Sequence, residues 1–168
     1  DLDRAYRLLC AANLAYGVTG ATRRGGRLAA RPPVLPSPAS VVELRDRLRL
    51  LPGSLRGYQS TGRDGIDAYL YGETQDAALL AFRGTLPMRW TGRLAQIIGD
   101  WLNNARIGLA PGQPLGIPGR IHQGYAESLE TLWQGPDGIA GRLDPIAKAA
   151  AAGRLLWVTG HSKGGALA

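Results

Sequence analysis

Apolar residues fall along this chain in two rhythms, and the change from one to the other divides it. Leu2, Ala5, Tyr6, Leu9, Ala12 and Tyr16 recur at steps of three and four, the period of one helical stripe, and Gly17 and Gly20 end it. Residues 21–40 are rich in Arg, Gly and Pro, and Pro32, Pro33, Pro36 and Pro38 predict an exposed loop without regular structure. Residues 41–51 predict a short helical piece of mixed charge, closed by Pro52-Gly53. The rhythm then shortens. Residues 68–71 predict a strand, 72–76 a turn-rich link, and 77–82 a near-continuous apolar run. A strand that apolar is expected to be buried on both faces, inside a covered sheet. Tyr125, Leu129, Leu132 and Trp133 mark an amphipathic helix. Residues 139–152 predict another, with Asp144-Pro145 as its candidate N-cap and first residue. Residues 155–159 predict a second buried strand, which runs straight into glycine.

Strands separated by helices imply an α/β layered fold with a mainly parallel sheet covered by helices. Functional residues in such sheets gather at the carboxyl ends of the strands. Two segments answer that description: Arg83-Gly84-Thr85 after the first apolar strand, and Gly160-His161-Ser162-Lys163-Gly164 after the second. The 168 residues suit one domain, and 45% apolar content suffices for a core.

Charge narrows the partners. The net charge is +7, but the cations are scattered arginines with few aromatics beside them, which argues against nucleic acid. A basic surface remains compatible with anionic lipid or a fatty-acid product. No run of 18 apolar residues exists, so no membrane-spanning helix is expected. The start, Asp1-Leu2-Asp3-Arg4, lacks the basic-then-apolar order of a secretory signal. Met88 is the sole methionine, so a segment upstream of Asp1 is expected. Cys10 has no partner for an internal disulfide and is expected to be a small buried hydrophobe, a usage compatible with the cytoplasm and with secretion. One cysteine and two histidines, at no ligand spacing, indicate no metal site, and no cofactor is implied.

The strongest chemical signal is Leu155-Leu156-Trp157-Val158-Thr159-Gly160-His161-Ser162-Lys163-Gly164-Gly165-Ala166-Leu167-Ala168. It sets G-x-S-x-G between a strand and a helix-forming tail. A bare match is weak in a chain with 24 glycines; the flanking strand and helix supply the context the motif requires. Such a turn is sharp enough to strain the serine backbone, and side chains at the flanking glycines would collide with strand and helix. It lifts the Ser162 hydroxyl into the open at the positive end of a helix, where developing negative charge is stabilised. A plain glycine-rich turn for phosphate is the competing reading, and it lacks the lysine-serine ending and spacing of a phosphate loop.

Four ordered blocks resemble the class 3 lipases of the α/β-hydrolase superfamily. Ala81-Phe82-Arg83-Gly84-Thr85 looks like the oxyanion strand end, and Asp100-Trp101-Leu102 like the block after the lid. Ile121-His122-Gln123-Gly124-Tyr125 is similar to the Val-His-x-Gly-Phe block, and Val158–Ala168 resembles the elbow itself. The resemblance implies the N-terminal part of a single α/β-hydrolase domain over residues 1–168, acting as a serine hydrolase on lipid or small esters. Ser162 would be the nucleophile. Thr85 would supply one oxyanion-hole donor and the backbone N–H of Lys163 the other. A lid is implied over residues 86–98, where Met88, Trp90, Leu94, Ile97 and Ile98 could meet a lipid interface or simply pack on the core. Two positions depart from the family: Lys163 stands where leucine is common, and Asn104 where aspartate is usual.

A serine hydrolase also needs a histidine base and an acid to orient it, and in this fold both follow the serine. They are expected beyond Ala168, so the fold is expected to be incomplete at its C-terminus. Neither His161, inside the elbow, nor His122, in a structural block, is expected to serve as the base. Within the same fold, acyl transfer and phospholipase activity stay open. From a different class, so does a non-catalytic hydrolase-like binding domain.

Overall fold

The computed structural model describes residues 1–24, 27–34, 46–60, 67–85, 105, 107–134 and 138–168. Residues 41–45 of the helical piece, the implied lid at 86–98, the Asp100-Trp101-Leu102 block and Asn104 lie outside the described residues.

Helix α1 spans Leu2–Ala15, and the Asp1 carboxylate caps it by accepting from the Asp3 N–H at 3.0 Å. The stripe predicted for its buried face is wrong by a rotation. Leu2, Ala5, Tyr6 and Leu9 are exposed; of that stripe Ala12 is buried, together with Arg7, Cys10, Ala11, Leu14 and Ala15. Apolar residues surround most of this helix, so two stripes at helical spacing were available, and the chosen one contains an arginine. Arg7 is tolerated there because its guanidinium lies 4.5 Å from the Trp157 ring centroid and donates to the Leu48 carbonyl at 3.0 Å. Cys10 is buried, as expected for a small hydrophobe.

A second correction concerns residues 21–24 and 27–34 of the expected loop; residues 35–40 lie outside the described residues. Strands β1 (Thr19–Arg24) and β2 (Arg27–Val34) pair antiparallel there, in place of an irregular loop. Arg24 pairs with Arg27, so only Gly25-Gly26 separates the strands, a favoured composition for a hairpin connection. Of the four prolines that argued against a strand, Pro32 and Pro33 fall where the register slips, and Pro36 and Pro38 lie outside the described residues. Thr19 faces Val34 and Ala21 faces Ala30, leaving Pro32 and Pro33 in the irregular stretch, where a missing N–H disrupts no ladder.

The central sheet has the order β3-β4-β5-β8, with β3 Arg56–Gln59, β4 Ala68–Glu73, β5 Ala77–Phe82 and β8 Leu155–Gly160. It is mixed, whereas a mainly parallel sheet was expected. Among the described strands, β3 with β4 and β4 with β5 run antiparallel, and only β5 with β8 is parallel. The links explain the difference. Residues 74–76 are too few for a crossover and force a hairpin, whereas the long segment from β5 to β8 carries helices and permits a parallel return.

Strand alternation splits the core into two layers. Ala68, Leu70, Ala77, Leu79, Ala81 and Trp157 face α1 and join Cys10, Ala11, Leu14 and Leu48. Tyr69, Tyr71, Ala78, Leu80 and Phe82 point the other way. They meet Leu132 of α2 (Gln123–Trp133), Ala149 of α3 (Leu143–Ala151) and Leu167 of α4 (Lys163–Leu167). Every residue of β5 is buried, as its apolar run predicts. β8 differs from expectation: Leu155 and Leu156 are about half exposed, at 50% and 46%. It closes the strand order, so among the described residues it has a neighbour on one side only. A short 3₁₀ turn, Ile139–Arg142, leads into α3, and Pro145 is its third residue, inside the first turn, where an N–H has no helical partner. The small hairpin β6–β7 (Leu109–Pro111, Arg120–His122) leads directly into α2.

Arg154 locks the base of β8 to the β4–β5 turn. It pairs with the Glu73 carboxylate at 3.0 Å and donates to the carbonyls of Thr74 and Ala77. The Arg154 hydrogen bond, assisted by one from Tyr71, holds the Glu73 carboxyl below its usual range. Arg154→Met should cost about 1–2 kcal/mol at neutral pH, since charged hydrogen bonds at a partly exposed site are lost. A group with a lowered folded pKa stabilises fully above its unfolded value and loses that contribution as pH falls through the folded one. Urea melts at pH 7 and pH 3 should therefore show a smaller penalty at pH 3, where part of the Glu73 contribution is already lost and the two carbonyl bonds persist. An equal penalty at both values would mean that the Glu73 pair contributes nothing.

Candidate active site

The parallel register fixes which loops meet. Phe82, the last residue of β5, pairs with Gly160, the last of β8. Arg83-Gly84-Thr85 and His161-Ser162-Lys163 therefore leave the sheet side by side from its carboxyl end, and the structure brings the three sequence-derived site residues, Thr85, Ser162 and Lys163, to that end.

The turn after β8 reverses within two residues. Gly164 N–H donates to the His161 carbonyl at 3.0 Å and Gly165 N–H to the Ser162 carbonyl at 2.9 Å, starting α4 at once. Ser162 has φ 56° and ψ −124°, a conformation sterically costly for any side-chain-bearing residue. Its side chain is exposed. Helix and strand can approach this closely only because of two glycines. A Cβ on Gly160 would sit 2.1 Å from the Gly164 carbonyl oxygen, and one on Gly164 would sit 2.3 Å from the Phe82 carbonyl oxygen.

The neighbouring loop touches the elbow directly. A Cβ at Gly84 would fall 2.3 Å from the His161 carbonyl oxygen and equally near the Tyr16 hydroxyl. Tyr16, at the end of α1, hydrogen-bonds His161 Nδ1 at 2.9 Å. Arg83 is buried, its guanidinium bonded to the Val18 carbonyl and its N–H to the Ala68 carbonyl at 2.9 Å. The end of α1, the start of β4 and the ends of β5 and β8 thus form one connected floor.

Lys163 does not extend into solvent. Its side chain is 2% exposed, and its Nζ lies 2.8 Å from Oδ1 of Asp67, itself 7% exposed. Sequence reasoning missed Asp67 and gave Tyr16 only a place in the helical stripe. No local signal pointed to Asp67: a lysine is ordinarily exposed, and only the structure shows this one buried and paired.

His122 stacks on Tyr125, with centroids 4.2 Å apart, at the junction of β7 and α2. An open groove of about 500 Å³ runs along α2, lined by Pro111, Leu115, Leu129 and Trp133 among others. Among the described residues no cluster of His, Cys, Asp or Glu could hold a metal ion. None of their helices is long and apolar enough to cross a membrane.

The family described as Lipase (class 3) matches this chain over residues 79–168, more than half of its length, from within β5 through the elbow to the last residue. No curated protein and no solved structure matches it.

Proposed function

The chain belongs to the class 3 lipase family, a family of lipid ester hydrolases, and on that premise we propose that it is a serine carboxylic ester hydrolase acting through an acyl-enzyme on Ser162. The observation that carries this reading is the backbone of Ser162. A serine held at φ 56°, exposed at the carboxyl end of the sheet, stores strain that has no use in a plain turn.

In this reading Ser162 Oγ attacks the ester carbonyl, the C–O bond to the alcohol breaks, and the serine proton passes through a general base to the departing alkoxide. Water then attacks the acyl carbon with the base taking its proton, the bond to Ser162 Oγ breaks, the carboxylic acid leaves, and the base returns the proton to the serine. The base is a histidine oriented by an acid, both following Ser162 in the chain order of this fold. His161 is not cast in that role, because it precedes Ser162 inside the elbow, whereas the base follows the nucleophile in the chain order of this fold. The backbone N–H groups of Thr85 and Lys163 receive the oxyanion, and each such donor is worth ~10²–10³ in rate. The side-by-side exit of the two loops supports that assignment.

Fluorophosphonate labelling followed by peptide mapping tests the reading. A single adduct on Ser162, with loss of activity on a medium-chain glycerol ester in step with labelling, is the expected result. An adduct on another serine, or full activity after Ser162 is blocked, would overturn it.

A further inference from the structure

The buried pair between Lys163 and Asp67 lies beside the reacting serine, and the acyl-transfer chemistry described above makes no use of it. Lys163 is the first residue of a five-residue helix, too short to hold its own geometry. Something outside α4 must therefore set the direction of the Lys163 N–H. One constraint is the contact of Gly164 with the end of β5. The other is the Lys163 side chain, anchored at 2.8 Å to a carboxylate two strands away.

Asp67 is itself held firmly. Its N–H donates to Ser60 Oγ at 3.3 Å, and its carbonyl accepts from the Ser60 N–H at 2.8 Å. The next carbonyl along, that of Ala68, accepts from the Arg83 N–H at 2.9 Å. Two consecutive residues thus grip both loops: Asp67 holds the elbow through Lys163, and Ala68 holds the Thr85 loop through Arg83.

We propose that Asp67 is a positioning residue for the oxyanion hole, fixing the Lys163 N–H through the buried Asp67–Lys163 pair so that it converges with the Thr85 N–H. This rests on the reading of Ser162 as an acylated nucleophile. A buried ion pair is poor evidence of net stabilisation, because desolvation offsets most of the attraction; what it does fix is direction, since neither partner can turn away without stranding a charge. A site held this way loses rate when the anchor goes, because its donors serve the transition state more than bound substrate.

The test compares Asp67→Asn, Lys163→Met and the double variant in the full chain. Each single variant should lower kcat about tenfold or more, less than the loss of a whole donor, with KM changed by less than about threefold. The rate of fluorophosphonate labelling at Ser162 should fall in parallel, since that adduct also places an oxygen in the hole. The double variant, which leaves no unpaired charge, should fold and should be as slow as either single variant, because the two residues act as one unit. Wild-type kcat in the double variant overturns the proposal, even if the single variants fail to fold, as it shows that only a stranded charge did harm. Wild-type kcat in Asp67→Asn overturns it as well. Failure of the nucleophile reading gives a separate result, namely a wild-type protein that is not labelled on Ser162.

Discussion

Ser162→Ala should lower kcat by about 10⁶-fold, down to the level at which the oxyanion donors and substrate binding act alone. Alanine keeps the Cβ and hence the backbone strain, so the fold should survive the change and the melting temperature should barely move. Ser162→Gly makes a sharper comparison. It is equally inactive, but glycine adopts φ 56° without steric cost, which relieves about 1–3 kcal/mol of strain. The greater freedom of glycine in the unfolded chain returns about 0.5–1 kcal/mol of that gain. A glycine variant more stable than the alanine one by about 1 kcal/mol, with both inactive, would show strain maintained for chemistry. Two variants of equal stability would mean that the turn is relaxed and that its geometry has another origin. The decisive measurements are urea melts of both proteins beside initial rates on a soluble ester.

Gly164→Ala carries the largest expected loss of stability. The added Cβ would meet the Phe82 carbonyl oxygen at 2.3 Å and the Arg83 carbonyl carbon at 2.9 Å, and all of these are backbone atoms that no rotamer change can move. Either α4 lifts off the sheet or β5 shifts, and β5 is buried along its whole length. The penalty should be about 3 kcal/mol or more, at the upper end of overpacking costs. Activity should disappear with it even in the folded fraction, because lifting α4 moves the Lys163 N–H off the Thr85 loop. Gly165→Ala serves as the control, since its nearest neighbour would be 3.4 Å away, the Gly160 carbonyl oxygen, close to ordinary contact. A Gly164→Ala protein melting within 0.5 kcal/mol of wild type would show that the close approach is not required.

The elbow and the class of fold were legible in the chain because both rest on local rules. A buried strand must be apolar throughout, and 77–82 is. A strand-to-helix turn this tight must carry glycine where a Cβ has no room, and positions 160 and 164 do. Spacing alone therefore placed Thr85, Ser162 and Lys163 at strand ends that the sheet then brought to one edge. The family match over residues 79–168 covers in full all four blocks that carried the resemblance.

What tertiary structure decided were the choices that local rules leave open. The sequence of α1 offers two stripes at helical spacing; the buried one contains Arg7 because Trp157, 150 residues away, supplies a face for its guanidinium. Strand direction followed from connection length, which forced antiparallel pairing across residues 74–76 and allowed a parallel return from β5 to β8. Pro32 and Pro33 forbade a regular ladder only at their own positions, and a register slip there let β1 and β2 pair around them. Composition likewise made β8 look buried, but burial depends on neighbours, and with one partner among the described strands its Leu155 and Leu156 stay about half exposed. The pairing of Lys163 with Asp67 belongs to the same class. The sequence by itself determined that a lysine follows Ser162; only the fold, by bringing the start of β4 under the elbow, decided which carboxylate would neutralise it.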